Sequence, residues 1–312
     1  MHNDRVSVVR SFNRTYTARI GALQDSFLGS GLPLGTARLL YEIGVRPAAT
    51  TQDLRRRLGL DSGYLSRLLR RLETEELVRV SPDPVDRRRR LVDLTDSGCR
   101  AWQRLEARSQ TQASTLLDPL SERQQARLVE ALTTADLLVR AATLEFQTVD
   151  VDDPTALTAI QHYFAELQRR FPGGFDARAE ATKDQQTLRP PHGVVVVAVS
   201  DGEPVACGGV RRLEDQVAEV KRMWVDPGWR GAGLGSRLLQ QLEATAVDLG
   251  HRTLRLDTND ALTEAIALYQ RAGYREIDSY LDSAGRENPY ASRWFEKDLT
   301  GSRVAGPQPE RS

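Results

Sequence analysis

The chain has 312 residues, enough at roughly 100 to 200 residues per domain for two domains. Its 43 basic and 43 acidic residues cancel, which excludes a uniformly basic coat or an acidic tail, but residues 1–150 hold 23 Arg and no Lys against 19 carboxylates, a net +4, and the remainder is net −4. Isolated Cys99 and Cys207 exclude a cysteine zinc finger and a disulfide scaffold, no metal is expected, and the absence of a signal-peptide core or an apolar run of roughly 18 residues points to a cytoplasmic protein without a membrane partner.

From Val6 to Arg140 apolar residues recur at helical spacing, interrupted only by LVRVSPDPVDRRRRLVDLT, which reads as two strands around a Pro/Asp-rich turn. Thr50 is placed to cap a helix whose third residue is Asp53, with Leu54 and Leu58 on its buried face; Gly59 ends it and Asp61 caps the next. There Leu65, Leu68, Leu69 and Leu72 form a buried stripe, leaving Ser66, Arg67, Arg70 and Arg71 mostly on the other side. A short helix, a glycine turn and a second helix with outward donors suits the DNA major groove. Since only Lys183, Lys221 and Lys297 are lysines, arginine is the default cation here, and for this helix alone a merely solvated face is an equal reading. The run from Asp86 to Arg90 shifts that balance, because four consecutive arginines on a hairpin repel one another unless an anion such as a phosphate backbone neutralises them.

The order helix, recognition helix, wing, together with SPDPVDRRRRLVDLTDSG, resembles the MarR family of winged-helix regulators over residues 10–140. The resemblance implies a mainly α winged helix-turn-helix domain that binds a double-stranded DNA operator, dimerises through its first and last helices (VVRSFNRTYTARIGALQ and LSERQQARLVEALTTADLLVR) and often responds to small ligands. It carries Arg87 and Arg88 over as wing contacts and Ser62, Tyr64, Ser66, Arg67 and Arg70 as recognition-helix contacts. Cys99, just after the wing, reads as a small hydrophobe in preference to a redox switch.

After Leu144 strand-like runs alternate with helices: EFQTVDV, a helix over 154–170, GVVVVAV, PVACGGVRR, VAEVKRMWV, a helix over 234–249, TLRLDT, a helix over 262–271, YREIDSY and RWFEKDL, an α/β or α+β pattern. Residues 171–192 have no clear period and read as a long functional loop. The expected division is residues 1–143, residues 144–299 and a disordered tail over 300–312.

The stretch VKRMWVDPGWRGAGLGSRLLQQLEATAVDLG runs from a strand ending at Val225 through a turn into Gly231, Gly233 and Gly235, then a helix with Leu234, Leu238, Leu242 and Leu249 on one face. Small residues at a helix entrance leave backbone N–H groups and the helix dipole open to a pyrophosphate, and Ser236 adds a hydroxyl. A dinucleotide site is the alternative, since Asp257 lies 22 residues after Gly235, but the following LTEAIALYQRAGYREI is not another βαβ unit. The run, with Asn259, Ala265, Leu268-Tyr269 and Ala272-Gly273-Tyr274, resembles the GNAT superfamily of N-acetyltransferases over residues 144–299. That resemblance implies a mixed central sheet and acetyl-CoA as donor, held by Met223, Trp224, Val225, the loop Arg230, Gly231, Ala232, Gly233, Leu234, Gly235 and Ser236, and Asn259.

The chemistry requires a neutral amine, a stabilised oxyanion and a proton for the departing thiolate. By resemblance Tyr269 is the acid, although its place on the apolar face of Leu262, Ala265 and Ile266 also suits a core residue. Glu219, in alternation with Lys221 and Met223, is a candidate base or simply a partner of Lys221. The combined expectation is a homodimeric regulator that also acetylates an amine of unknown identity. Two alternatives are a regulator whose second domain only senses acetyl-CoA or an amine, and an enzyme whose winged helix only dimerises.

Overall fold

The computed structural model describes residues 2–171, 174–280 and 288–300, so that of the expected disordered tail all but Thr300 lies outside the described residues. It forms two compact units, Met1–Glu130 and Ala131–Ser312.

In the first unit, α1 (His2–Arg19), α2 (Leu34–Val45), β1 (Ala49–Thr50), α3 (Thr51–Leu58), α4 (Ser62–Thr74), β2 (Val78–Pro82), β3 (Arg90–Leu94) and α5 (Asp96–Leu117) follow one another. The caps are those the sequence announces. Thr50 Oγ1 accepts from the Asp53 N–H at 3.1 Å, Gly59 ends α3 with a left-handed φ of 61°, and Asp61 Oδ1 accepts from the Tyr64 N–H at 2.8 Å. Leu65, Leu68, Leu69 and Leu72 of α4 are buried with Leu39, Leu40, Ile43, Leu54 and Val92, each such side chain contributing about 1.5–3 kcal/mol of burial. The strands pair antiparallel in the order β1-β3-β2, with Val80 opposite Val92, making the wing. Gly98 is required where α5 meets the wing, since a Cβ there would stand 1.8 Å from the Leu77 carbonyl oxygen.

The division between units falls within α6 (Glu122–Thr143), and Ala141 and Leu144 are already buried in the second unit's core. There follow β4 (Phe146–Val149), α7 (Pro154–Arg170), α8 (Ala177–Thr187), β5 (Gly193–Ser200), β6 (Glu203–Glu214), β7 (Val217–Val225), α9 (Leu234–Asp248), β8 (Thr253–Thr258), α10 (Thr263–Arg271), β9 (Arg275–Ile277) and β10 (Arg293–Asp298). The sheet order is β4-β5-β6-β7-β8-β10-β9, antiparallel except for the parallel β7–β8 pair bridged by α9, and therefore mixed. Val196 and Ala198 face the cluster containing Leu238 and Leu242 of α9, whereas Val195 and Val197 face Ile160 and Phe164 of α7. Helices thus cover both faces, which is why GVVVVAV is apolar throughout.

One expectation is corrected. Within 171–192, read as a loop, Ala177–Thr187 is helical. Its sequence ARAEATKDQQT is rich in good helix formers but has no apolar stripe, so propensity and the docking of Ala177 and Ala181 beside Phe164 form the helix without a hydrophobic period.

Candidate functional site

The second unit's site begins with a break in the sheet. Parallel pairing of β7 with β8 ends at Val220 opposite Leu256, so the β8-facing edge of β7 over Lys221–Val225 has no strand partner. On the other edge, Lys221 pairs with Gly209 but Trp224 with Cys207, so that Arg222 and Met223 together oppose Gly208, and Arg222 takes a left-handed φ of 55°. This bulge bends the strand away from β8.

A cleft of about 380 Å³ opens there between α7, α10, Met223–Val225 and the start of α9. Gly231 (φ 83°) and Gly233 (φ 77°) are left-handed, and a Cβ on either would meet nothing within 4 Å, so glycine supplies the turn and leaves the approach to the backbone open. No side chain caps α9, whose N-cap is Gly233, and the first-turn N–H groups of Leu234, Gly235 and Ser236 are left to the cleft. An unpaired strand edge leading to an uncapped helix start suits an extended chain ending in a phosphate group.

The structure adds Glu166, which sequence reasoning missed. It is a buried carboxylate within the apolar stripe Ala159, Ile160, Phe164 and Leu167 of α7, and a charge inside such a stripe was the signal. Arg230 Nη2 donates to its oxygens at 2.6 and 2.7 Å, and the Trp224 indole donates at 3.0 Å. Burial alone would raise the Glu166 pKa, but donors from Arg230, Arg170 and Trp224 outweigh it and hold it down. Arg230 therefore stands at the cleft wall already neutralised. Behind it Arg170 grips Glu264, whose pKa is held down to about 2 chiefly by that hydrogen bond. Ala232 belongs to the loop without lining the cleft.

Tyr269 is packed as a core residue and also lines the cleft. Its ring is buried against Tyr274 and Phe295, its hydroxyl is 3.9 Å from Met223 Sδ, and the residue lines both the cleft and a smaller chamber of about 70 Å³. Burial, then the negative potential of Tyr163 and Asp257, pushes its pKa well above the ordinary phenol value, so the hydroxyl keeps its proton at neutral pH.

Two expected site residues fall elsewhere. Glu219 is 1% exposed, lines neither cavity, and accepts from Arg211 at 2.6 Å, Lys221 at 3.4 Å and the Tyr280 hydroxyl at 3.0 Å. Its oxygens serve the buried network, so it is not placed to take a substrate proton; the bulge at Arg222 breaks the alternation that grouped it with Met223. Asn259 donates to the Tyr290 carbonyl at 2.8 Å and accepts from the Ala261 N–H at 2.9 Å, holding a turn at the smaller chamber in place of the cleft. Asp257, weighed above only for the dinucleotide-site alternative, pairs with Lys221 at 2.9 Å and accepts from Asn288 at 2.6 Å. Burial would raise its pKa, but Lys221, then Asn288 and Arg211, keep it low.

In the first unit a groove of about 530 Å³ lies between α3, α4 and the wing. Ser62, Ser66 and Arg70 line it with Arg90 of the wing's arginine run, joined by Thr51, Gln52 and Arg55, which the sequence reading did not single out. Tyr64 lies off the groove, its hydroxyl against Gly35 of α2, where a Cβ would come within 2.6 Å, and Arg67 stacks over its ring at 5.5 Å. At the wing tip Asp83 accepts the Val85 N–H and Asp86 the Arg88 N–H, fixing a turn from which Arg87 and Arg88 project exposed. Among the described residues neither arginine forms an ion pair.

The first unit thus has a winged-helix fold and the second an acyltransferase fold. Residues 160–274 match the acetyltransferase (GNAT) family and residues 30–89 the MarR family. The chain is 34% identical over 119 residues to an IAA acetyltransferase of Azospirillum brasilense, covering 38% of this chain and 78% of that protein. It is 30% identical over 139 residues to the uncharacterized N-acetyltransferase YjgM of Escherichia coli, covering 43% and 83%. A solved structure of the PcaV transcriptional regulator from Streptomyces coelicolor aligns with 41% of this chain and 93% of its own, at 24% identity and a TM-score of 0.36. The chain belongs to the GNAT acetyltransferase family and carries a MarR-family region ahead of that domain.

Proposed function

We propose that residues 1–143 form a dimeric regulator of double-stranded DNA and that residues 144–299 transfer an acetyl group from acetyl-CoA to an amine, in the cytoplasm where both ligands occur. The observation that carries the transferase reading is Tyr269, a buried phenol with a raised pKa that lines both the cleft with the glycine loop and the second chamber. The free edge of β7 at Met223–Val225 holds the extended arm of the donor, and the N–H groups of Gly233 to Ser236 hold its pyrophosphate. The amine attacks the thioester carbonyl from the smaller chamber, the carbon–sulfur bond breaks, and Tyr269 supplies the thiolate's proton. Glu166, Glu264 and Asp257 all have lowered pKa values and are poor bases, so in this reading the amine sheds its own proton to solvent.

The regulator reading rests on the groove and the unpaired wing arginines, with Ser62, Ser66, Arg70, Arg87 and Arg88 as principal contacts. The dimer is supported by α1: in this 18-residue helix no described side chain is buried, and Val6, Val9, Phe12 and Tyr16 are exposed. A helix with no buried face is marginal in water, and a second copy supplies the missing surface.

Calorimetric titration with acetyl-CoA, followed by release of free thiol with a panel of amines, tests the enzyme. Binding with release supports acetyl transfer; binding without release from any amine makes the domain a sensor; no binding removes the assignment of Arg230 to Ser236.

A further inference from the structure

The smaller chamber has a composition that the transfer reaction alone does not require. Its wall carries two cations adjacent in sequence, Lys221 and Arg222, and two anions from different elements, Asp257 of β8 and Glu180 of α8. Arg222 Nη2 reaches Glu180 Oε2 at 2.7 Å and Lys221 Nζ reaches Asp257 at 2.9 and 3.1 Å, all four being less than a tenth exposed. The lining also holds an aromatic cluster, with Phe175 4.8 Å from the Tyr290 ring and Phe171 stacked on it at 6.4 Å.

Within these two pairs the charges cancel, and Arg222 and Glu180 each have a further interaction. A bare ammonium brought into such a chamber gains a carboxylate only by competing with that carboxylate's own cation, and it leaves its water behind uncompensated. A molecule carrying both an ammonium and a carboxylate brings its own balance and exchanges each half with one of the two pairs. The pairs differ in what they offer such a ligand. Lys221 has three protons, which go to Glu219 and to the two oxygens of Asp257. Arg222 presents a planar fork suited to a carboxylate, and the bulge that gives it a left-handed φ is what brings it into the chamber beside Lys221. Asp257 Oδ2 already accepts from Lys221 and Asn288, whereas Oδ1 accepts from Lys221 and has a second lone pair for an ammonium N–H.

We propose, resting on the acetyl transfer stated above, that the acceptor is a free amino acid with an apolar side chain: its carboxylate on the Arg222–Glu180 pair, its amino group between Asp257 and Tyr269, and its side chain on the wall of Phe171, Phe175 and Tyr290. Of the two protons the ammonium loses, one passes to solvent before attack and the other is matched by the proton Tyr269 returns to the thiolate, leaving an N-acetylamino acid and free CoA.

The test measures thiol release by the full chain from acetyl-CoA with leucine and methionine, with their carboxamides, and with the matching decarboxylated amines. Leucine or methionine is the best acceptor, and loss of a charge-assisted contact lowers kcat/KM for its amide and amine roughly tenfold to a hundredfold. Arg222→Gln removes the preference between acid and amide while leaving acetyl-CoA binding, read by calorimetry, unchanged. If Arg222→Gln does not fold, the wild-type panel still decides. Amides or amines turned over as well as the acids overturn the amino-acid assignment and leave acetyl transfer standing. Acetyl-CoA binding with no thiol released by any acceptor overturns the acceptor class, whereas no acetyl-CoA binding overturns the transferase reading beneath it.

Discussion

The groove of the first unit and the cleft of the second meet phosphate in opposite ways. Around the groove the cations are side chains at the surface, and Arg87 and Arg88 have no carboxylate partner among the described residues. Around the cleft Arg170 and Arg230 are tied to Glu166 and Glu264, the start of α9 offers backbone N–H groups, and Arg271 at the rim is the one lining arginine without an ion pair among the described residues. A surface of unpaired guanidinium groups attracts a polyanion at long range and releases counterions on contact. A backbone cradle with neutralised arginines gives short-range, shape-dependent recognition instead. DNA binding should therefore be strongly salt-dependent and acetyl-CoA binding much less so.

The largest expected effect comes from blocking the cradle. Gly233→Trp places an indole over the open N–H groups and forces a side chain onto a φ of 77°, which costs of order 1–3 kcal/mol by itself. Calorimetry should show acetyl-CoA binding abolished, with DNA affinity at fixed salt unchanged. Gly233→Ala carries the strain without the bulk, so a much smaller loss there assigns the effect to obstruction. Loss of DNA binding in Gly233→Trp would show that the two sites are not independent.

Next comes Tyr269→Phe, which keeps the buried ring and removes only the proton donor. Turnover should fall roughly a hundredfold, the lower end of what general acid catalysis supplies, with donor affinity unchanged. Unchanged turnover would return Tyr269 to a purely structural place beside Tyr274 and Phe295.

Features encoded within one element were legible in the sequence. The caps at Thr50 and Asp61, the leucine stripe of α4, the hairpin and the glycine loop each depend on residues a few positions apart. What escaped depends on partners far along the chain. The bulge at Arg222 exists only relative to Gly208 on the neighbouring strand, and it is what removed Glu219 from the site. The pairs Glu166–Arg230 and Lys221–Asp257 join residues on separate elements, and Tyr64 left the groove because Gly35 leaves room for its hydroxyl. Helix α8 was missed for a different reason, since it has propensity without amphipathic spacing.

A smaller effect should follow from Arg88→Ala at the wing tip. At a single salt concentration the loss of DNA affinity is several-fold, and the sharper readout is the slope of log affinity against log salt, which should flatten by roughly 0.9 for one lost phosphate contact. The same salt series with acetyl-CoA should give a shallow slope that Arg88→Ala does not alter. An unchanged DNA slope would remove this residue from the interface and weaken the contrast between the two sites.

The smallest expected effect lies in the arginine locks of the cleft. Glu264 has its pKa held down from 4.5 to about 2 by Arg170, so the folded state binds its proton less readily than the unfolded chain does. The stability this supplies is fully present above pH 4.5 and lost as pH falls toward 2. Because the Glu264 side chain is half exposed, solvent screening keeps that contribution modest. Glu264→Gln should therefore lower stability slightly at pH 7 and flatten its decline between pH 4.5 and 2, measured by denaturant unfolding across that range. It should leave the salt dependence of DNA binding untouched. If Glu264→Gln instead steepened the salt dependence of acetyl-CoA binding, Arg170 and Arg230 would be acting as free cations once released, and the cleft would differ from the groove only in having its arginines masked.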